Sequence, residues 1–412
     1  MTLLQTLYVN GKRLNQSIDD LAQIGQLANG GICRLAFSAE DLQGRELVRR
    51  WMVEAGLEVR IDTAGNMIGR LPGKLKLPAL ATGSHIDTVP CGGKFDGNLG
   101  VLAGLEVVRT LQEKGVTLNH PLEVIVFADE EDTMIGSRAM AGTASLNAAD
   151  YHRKDGRPMD ECVNQVGGNW LQLAQARRTR QDICAFVELH VEQGGVLETA
   201  GRQIGVVQGV VGMQRYRIDI TGRPNHAGTT PMDQRQDALV AAARVVLAVN
   251  RLATQPPGDR VATVGALQVS PNAANIVPGR VEASLDVRDL DQAVIDDLVG
   301  NLRAEMAAIA EATHTHIELV PQLNVAPSPA APHIQATIAE VSAGLGLSSM
   351  SMPSRAGHDA LEMGRFTDMG MIFVPSEGGW SHSEVEYTTP EECTQGANVL
   401  LETLLRLDRH YS

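Results

Sequence analysis

The stretch LATGSHIDTVPCGGKFDGNLGVLAGLEVVRTLQEKGVTLNHPLEVIVFADEED, residues 80–132, decides the fold of this chain. It contains two short apolar runs, Leu80–Ser84 and Leu122–Phe127, whose length and composition predict buried strands. Between these runs, residues 99–113 place apolar side chains on one helical face. A strand, a helix and a second strand in this order predict a parallel βαβ unit, and therefore an α/β domain with a mostly parallel central sheet.

The middle of the chain has a different pattern, which begins near Gly212. Strand and helix signals follow the order β-α-β-β-α-β there, which is the order of a ferredoxin-like α+β sandwich. Its elements are predicted at residues 216–220, 233–252, 260–269, 280–286, 291–312 and 315–320. After the proline-rich segment Ala326–Pro332 the α/β pattern resumes. We therefore expect a large domain at residues 1–211 and 329–412, with a small domain inserted at 212–328.

Composition and charge exclude several classes of protein. Hydrophobic residues make up 43% of the 412 residues and charged residues 20%, as in folded globular proteins of two domains. The formal net charge of −14 would repel a phosphate backbone, so no nucleic-acid partner is expected. The apolar runs are too short for a bilayer, the first residues lack the pattern of a signal peptide, and the five cysteines are scattered. We therefore expect a cytoplasmic protein with no membrane partner.

Residues that could bind a metal follow the ends of predicted strands. Ligand sites in open α/β sheets lie outside the carboxyl ends of the strands, so we expect these side chains to converge. Imidazole and carboxylate ligands suit zinc, manganese, cobalt or nickel, and a shared carboxylate suits a pair of ions. We assign one divalent ion to His85, Asp96 and His190, and a second one to the bridging Asp96, Glu131 and His382.

Two further carboxylates have predicted roles beside these ligands. Glu130 adjoins Glu131 but is not needed as a ligand, so it is the predicted general base for an attacking water. Asp87 lies two residues after His85 and is expected to accept the second imidazole N–H, which would fix the tautomer. This set of residues predicts metal-assisted hydrolysis of a C–N bond.

Motifs along nearly the whole chain resemble those of the aminoacylase-like di-zinc hydrolases. The resemblance is closer to the branch of N-carbamoyl-L-amino-acid hydrolases, β-ureidopropionases and allantoate amidohydrolases, because His190 stands where peptidase relatives carry a carboxylate. The motifs, in order, are GSHIDTVPCGGKFDG (83–97), DEE (129–131), ELHVEQGGVLE (188–198), NHAGTTPM (225–232), NAANIVPG (272–279), DVRDL (286–290), AGHDA (356–360) and MIFVPS (371–376).

The resemblance implies hydrolysis of the carbamoyl C–N bond of an N-carbamoyl-L-amino acid or similar ureido acid, with release of ammonia and carbon dioxide. It also implies a homodimer joined through the inserted domain, whose residues close over a catalytic site in the large domain. The residues that it assigns to the substrate are His226, which polarises the scissile carbonyl, Asn275 and Arg288, which bind a carboxylate, and Gln193, Gly357 and His358, which line the pocket.

Several alternatives remain open from the sequence alone. Cleavage of allantoate, of a β-ureido acid, or of an N-acyl amino acid or dipeptide fits the same residues, and so does a non-catalytic metal- or amino-acid-binding protein. The acidic run 129–132 could instead cap a helix, and His226 could form a turn. Arg288 could pair with Asp286 or Asp289. The segment after Glu131 is also shorter than in relatives, which bears on substrate choice.

Overall fold

The fold is described from a computed structural model that covers residues 6–153, 155–255 and 257–412. The predicted domain ranges also include residues 1–5, 154 and 256, which lie outside the described residues. The chain divides into two compact units, which we call the α/β unit (residues 1–210 and 329–412) and the inserted unit (residues 211–328). The insertion thus begins one residue before the predicted boundary.

The helices and strands are numbered here along the whole chain. The strands are β1 (Glu58–Ile61), β2 (Met67–Leu71), β3 (Ala79–His85), β4 (Leu122–Phe127), β5 (Ile183–Val191), β6 (Ile204–Val210), β7 (Gly212–Thr221), β8 (Asn225–His226), β9 (Val261–Thr263), β10 (Leu267–Ser270), β11 (Ile276–Val277), β12 (Arg280–Asp289), β13 (His316–Val325), β14 (Ser328–Pro329), β15 (Ser349–Ser354) and β16 (Asp368–Val374). The α-helices are α1 (Gly11–Ala22), α2 (Ala39–Glu54), α3 (Asn98–Glu113), α4 (Ile135–Ala141), α5 (Met159–Gln165), α6 (Val196–Ala200), α7 (Ala238–Thr254), α8 (Gln292–Thr313), α9 (Pro332–Gly344), α10 (Asp359–Met363) and α11 (Pro390–His410).

The α/β unit is built on a large sheet whose centre is parallel, as the sequence predicts. The strands lie in the order β1-β2-β4-β3-β5-β16-β6, with β15 beside β6. β3 runs parallel to β4 and β5, and β16 runs parallel to β5. Every residue of β3, β4 and β5 is buried, which explains why these strands have continuous apolar runs instead of alternation.

Helices cover this sheet and bury its apolar side chains. α3 follows the loop after β3 and is buried along most of its length, including Leu99 and Leu105. α11 packs against α3 and α9. Its first turn carries a capping box in which Thr389 and Glu392 satisfy each other's backbone N–H groups. In the described part of the chain, no helix combines the length and apolarity that a membrane crossing requires.

The inserted unit has the predicted ferredoxin-like order. Its sheet runs β10-β12-β7-β13 with β9 also beside β12, and α7 and α8 bury their apolar faces in the core of this unit. The predicted strand at 260–269 was wrong in its continuity, because residues 264–266 separate β9 from β10. The predicted start of α7 was five residues early: Asp237 caps the helix by accepting the N–H groups of Leu239 and Val240.

Candidate metal centre

The carboxyl ends of neighbouring strands bring the predicted ligands together. β4, β3, β5 and β16 pair in parallel, so their ends meet at one edge of the sheet. His85 ends β3 and His190 lies near the end of β5, whereas Asp96, Glu131 and His382 lie in loops after β3, β4 and β16. The ligand atoms form two overlapping groups, each within 4.8 Å: His85, Asp96 and His190, and Asp96, Glu131 and His382.

The first group is nearly inaccessible to solvent. Asp96 Oδ1 lies 3.2 Å from His190 Nε2 and 3.5 Å from His85 Nε2, and both rings are buried. His190 Nδ1 donates to the carbonyl oxygen of Val191 at 2.9 Å. This hydrogen bond fixes the ring and leaves the lone pair of Nε2 directed towards the centre, where it accepts the backbone N–H of Gly97 at 3.1 Å and could bind a metal.

The second group shares Asp96 but uses its other oxygen. Asp96 Oδ2 lies 3.2 Å from His382 Nε2, which in turn lies 3.5 Å from Glu131 Oε2. His382 adopts a left-handed backbone conformation with φ of 54°, which a non-glycine residue keeps only when its surroundings hold it. Asp96 therefore turns one oxygen to each group, as a carboxylate shared by two ions would.

Charge at this centre fits a divalent cation. Burial disfavours the charge of Asp96, yet hydrogen bonds with His190, His382 and His85 hold the pKa of Asp96 well below its usual range. Burial, followed by the nearby Asp96 charge, raises the pKa of Glu131 to about 7. The ion-pair partners of these two carboxylates are histidines, which are charged only when protonated. Buried carboxylates and imidazoles that compete for protons form a donor set that a divalent ion would satisfy.

Glu130 lies against the first group without belonging to it. Its Oε2 is 3.6 Å from His85 Nε2, and its side chain is 9% exposed. Burial raises the pKa of Glu130 well above its ordinary value, although the charge of His85 opposes the shift. A carboxylate with a raised pKa at the rim of a metal centre can both take up and release a proton.

The backbone carbonyl of Asp87, and not the predicted carboxylate, accepts the second imidazole N–H of His85. His85 Nδ1 donates to the carbonyl oxygen of Asp87 at 3.0 Å, whereas the carboxylate Oδ1 lies farther away at 3.7 Å. The carboxylate instead accepts the backbone N–H of Glu131 at 3.3 Å. The turn after β3 brings the carbonyl nearer to the ring, so the Asp87 side chain steadies the neighbouring ligand loop.

Three residues that the resemblance assigned to the pocket lie in the same unit. Gln193 Nε2 donates to Asp96 Oδ2 at 2.8 Å and lies 3.3 Å from His382 Nε2. The His358 ring is buried 4.5 Å from the His190 ring and hydrogen-bonds Ser354 Oγ at 2.8 Å. Gly357, one residue before it, is exposed. The Gln193 amide and the His358 ring are thus in contact with the metal-ligand groups.

Two buried glutamates were missed by the sequence analysis. Glu188 accepts the hydroxyl of Ser84 at 2.7 Å and the backbone N–H of Ala360 at 3.0 Å. It lies two residues before His190 on β5 and so faces the same side of the strand, which is the signal that could have found it. Glu386 contacts the Asp96 loop, and its only sequence signal is its closeness to His382.

The remaining predicted residues belong to the inserted unit. β8 pairs with β11, and the N–H of Ala227 donates to the carbonyl oxygen of Asn275 at 2.9 Å, so His226 and Asn275 are neighbours. His226 Nδ1 accepts the N–H of Gly228 at 3.1 Å, which places the proton of the neutral ring on Nε2. Arg288 Nε donates to Asp286 at 2.8 Å, the pairing that was one of the alternatives.

Comparison with known protein families finds a match over most of the chain. The sequence model of the family described as peptidase family M20/M25/M40 matches residues 81–406. An N-carbamoyl-L-amino acid amidohydrolase of Geobacillus stearothermophilus is 40% identical over 97% of this chain and 99% of its own length. An allantoate amidohydrolase of Bacillus subtilis is 36% identical over 95% of this chain and 96% of its own length.

Solved structures show the same similarity. An amidase of the hydantoinase/carbamoylase family from Burkholderia multivorans superimposes with a TM-score of 0.90 at 38% identity, over 98% of both chains. A putative amidohydrolase/peptidase from Burkholderia cenocepacia gives a TM-score of 0.89 at 39% identity, over 98% of this chain and 99% of its own. The likeness therefore extends over both units of the chain.

Proposed function

Because the chain belongs to peptidase family M20/M25/M40, we propose that it hydrolyses the carbamoyl C–N bond of an N-carbamoyl-L-amino acid or a similar small ureido acid. Water is consumed, and the products are ammonia, carbon dioxide and the free amino acid. The observation that carries this proposal is the position of Asp96. One of its oxygens faces two imidazoles, the other oxygen faces a third imidazole, and the buried Glu130 lies beside them. Relatives named as N-carbamoyl-L-amino acid amidohydrolases support the choice of bond.

We propose that two divalent ions, zinc or manganese, occupy this centre. The family is metal-dependent, and the donor set fits such ions. When bound, the ions would lower the pKa of water and polarise the substrate carbonyl. The first ion would be held by His85, Asp96 and His190, and the second by Asp96, Glu131 and His382.

Other side chains of the α/β unit transfer the proton and line the substrate pocket in this proposal. Glu130 takes the proton of the attacking water and later delivers it to the leaving nitrogen, a task for which its raised pKa is suited. Gln193 lines the substrate pocket in this proposal, which is supported by the contact of its amide with the ligand Asp96. Gly357 and His358 line the same pocket.

The inserted unit supplies the remaining substrate contacts in this proposal. His226 donates its Nε2–H to the oxygen on which charge develops, since its Nδ1 is already an acceptor. Asn275 lies next to His226 and binds the substrate carboxylate. Arg288 also binds this carboxylate, and its ion pair with Asp286 orients the guanidinium before the substrate arrives.

A homodimer joined through the inserted unit is part of the same proposal. α7 buries one side in its own unit, but Leu239, Val240, Val246 and Leu247 on the other side are exposed. An apolar helix face of this kind is typical of a contact with another protein surface. A second copy of the chain is the partner that the family resemblance implies.

A substrate panel tests the proposed activity. Apoprotein reconstituted with Zn²⁺, Mn²⁺ or Co²⁺ is assayed for ammonia release from N-carbamoyl-L-amino acids, N-carbamoyl-β-alanine and allantoate. We expect ammonia from the first class, and the other two substrates report the β-ureidopropionase and allantoate alternatives. Release of acetate or of a second amino acid from N-acetyl amino acids or dipeptides would move the activity to the N-acyl class. If no ureido substrate released ammonia with any of the three metals, the proposal would be rejected.

A further inference from the structure

Glu386, a buried carboxylate outside the ligand set, joins two of the ligand loops. The residue is 5% exposed and lies in the loop that carries His382. Its Oε1 accepts the backbone N–H of Phe95 at 3.0 Å and that of Asp96 at 3.1 Å. Its Oε2 lies 3.2 Å from the hydroxyl of Ser381, next to His382. One side chain therefore ties the backbone of the shared ligand to the loop of another ligand.

The same cluster also reaches the carboxylate of Asp96. Ser381 Oγ lies 3.2 Å from Asp96 Oδ2, as well as 3.2 Å from Glu386 Oε2. Oδ2 is the oxygen that faces His382 Nε2, so this hydroxyl steadies the half of Asp96 that belongs to the second group. The approach of Glu386 requires Gly93, because an added Cβ at this position would overlap the Glu386 carboxylate.

We infer that Glu386 is a positioning residue for the second metal ion. It fixes the backbone at Asp96, and together with Ser381 it keeps Asp96 Oδ2 and His382 Nε2 at the spacing that a shared ion needs. Removal of the carboxylate would leave two buried N–H groups without an acceptor and would free the two loops from each other. The inference rests on the metal centre of the proposed function and is independent of the substrate.

Stepwise Zn²⁺ titration of the apoprotein against a competing chelator tests this role. For Glu386→Ala we expect the affinity of the second site, that of Glu131 and His382, to fall by about 10–100-fold, as for other partners that orient metal ligands, while the site of His85 and His190 changes by no more than about 3-fold. Glu386→Gln keeps an oxygen that can accept both N–H groups and should retain affinity close to that of the wild type. The matched control is Glu384→Ala, an exposed glutamate in the same loop, which should leave both affinities unchanged.

The outcomes separate this role from a general structural one. Unchanged binding of both ions by Glu386→Ala, or an equal loss at both sites, would overturn the inference, as would a Gln variant as weak as the Ala variant. If circular dichroism shows that Glu386→Ala does not fold, Ser381→Ala replaces it. We then expect a selective loss of affinity at the second site, and an unchanged affinity would count against the role. No substrate is used, so a wild-type protein that binds two ions but cleaves no ureido compound contradicts the proposed function alone.

Discussion

Among single residues, Asp96 has the most contacts with the proposed ligands. Its two oxygens face different imidazoles, at 3.2 Å to His190 and 3.2 Å to His382. An Asn at this position offers one acceptor and one donor, so it can serve only one side. We expect Asp96→Asn to retain at most one ion per chain and to lose more than about 100-fold in kcat/KM, since even the outer partners of ligands cost about 10–100-fold. Metal analysis and the ammonia assay measure this, and two retained ions would contradict the bridging role.

Glu130 differs from the ligands because its proposed work is proton transfer. Glu130→Gln keeps the shape and removes the base, so kcat should fall by about 10²–10⁴-fold with little change in KM. Metal content should stay at the wild-type value, because Glu130 belongs to neither ligand group. Steady-state kinetics and metal analysis of one protein batch provide the two readouts. An unchanged kcat would favour a binding protein or a different base.

Arg34 is a buried cation that holds the backbone around the centre. Its guanidinium donates to the carbonyl oxygens of Ile86 at 2.7 Å and Ile24 at 2.9 Å, and to Asn98 Oδ1 at 2.8 Å. Burial lowers its pKa to about 10, so the side chain is still charged at neutral pH. Arg34→Met would leave several buried acceptors unsatisfied and should lower the free energy of unfolding by about 3 kcal/mol in urea denaturation.

The exposed Arg50 provides the control for that substitution. Arg50→Met should change the free energy of unfolding by no more than about 0.5 kcal/mol, as surface substitutions usually do. Equal effects of the two substitutions would show that the Arg34 hydrogen bonds contribute little to stability.

At the level of helices and strands, burial decides what the sequence could predict. β4 has the predicted bounds, Leu122–Phe127, and β3 extends the predicted strand Leu80–Ser84 by one residue at each end, because strands buried on both faces give long apolar runs. The ligands were predictable since parallel strand ends meet at one edge. The roles of the Asp87 carbonyl and the Glu386 carboxylate were not predictable, because loop conformation decides which group faces a partner. The sequence patterns do not specify that conformation.

Gly100 shows how an element's packing restricts its sequence. The residue lies in the first turns of α3, where an added Cβ would overlap the carbonyl oxygen of Leu189 on β5. Gly100→Ala should therefore push α3 away from the sheet and destabilise the protein by about 1–3 kcal/mol. Because α3 begins two residues after Asp96, the displacement should also weaken Zn²⁺ binding. Urea unfolding and chelator competition are the measurements.

A glycine-to-alanine substitution in α8 should have the opposite effect on stability. Gly300 is exposed in the interior of that helix, and an added Cβ meets no atom within 4 Å. Gly300→Ala should stabilise the inserted unit by about 0.5–1 kcal/mol, because alanine is the better helix former. Destabilisation by both variants would mean that close packing is not what distinguishes Gly100.

For the molecule as a whole, the apolar sequence of α7 bears on assembly. One side of α7 fills the core of the inserted unit, while Leu247 on the other side is 70% exposed. Leu239, Val240 and Val246 are exposed on the same side, together with Arg244, and a mainly apolar exposed face of this kind is typical of a contact with another protein surface. The proposed homodimer would complete that burial, so light scattering should give twice the 44.1 kDa of one chain.

Leu247→Glu tests whether that face forms the contact. A charge placed in an apolar interface must be desolvated, so the variant should shift to the monomer mass with its circular dichroism spectrum unchanged. Leu171→Glu is the matched control, since Leu171 is 95% exposed in the α/β unit. This variant should remain dimeric. A Leu247→Glu protein that keeps the doubled mass would place the dimer contact elsewhere, and a monomeric wild type would remove the homodimer from the proposal.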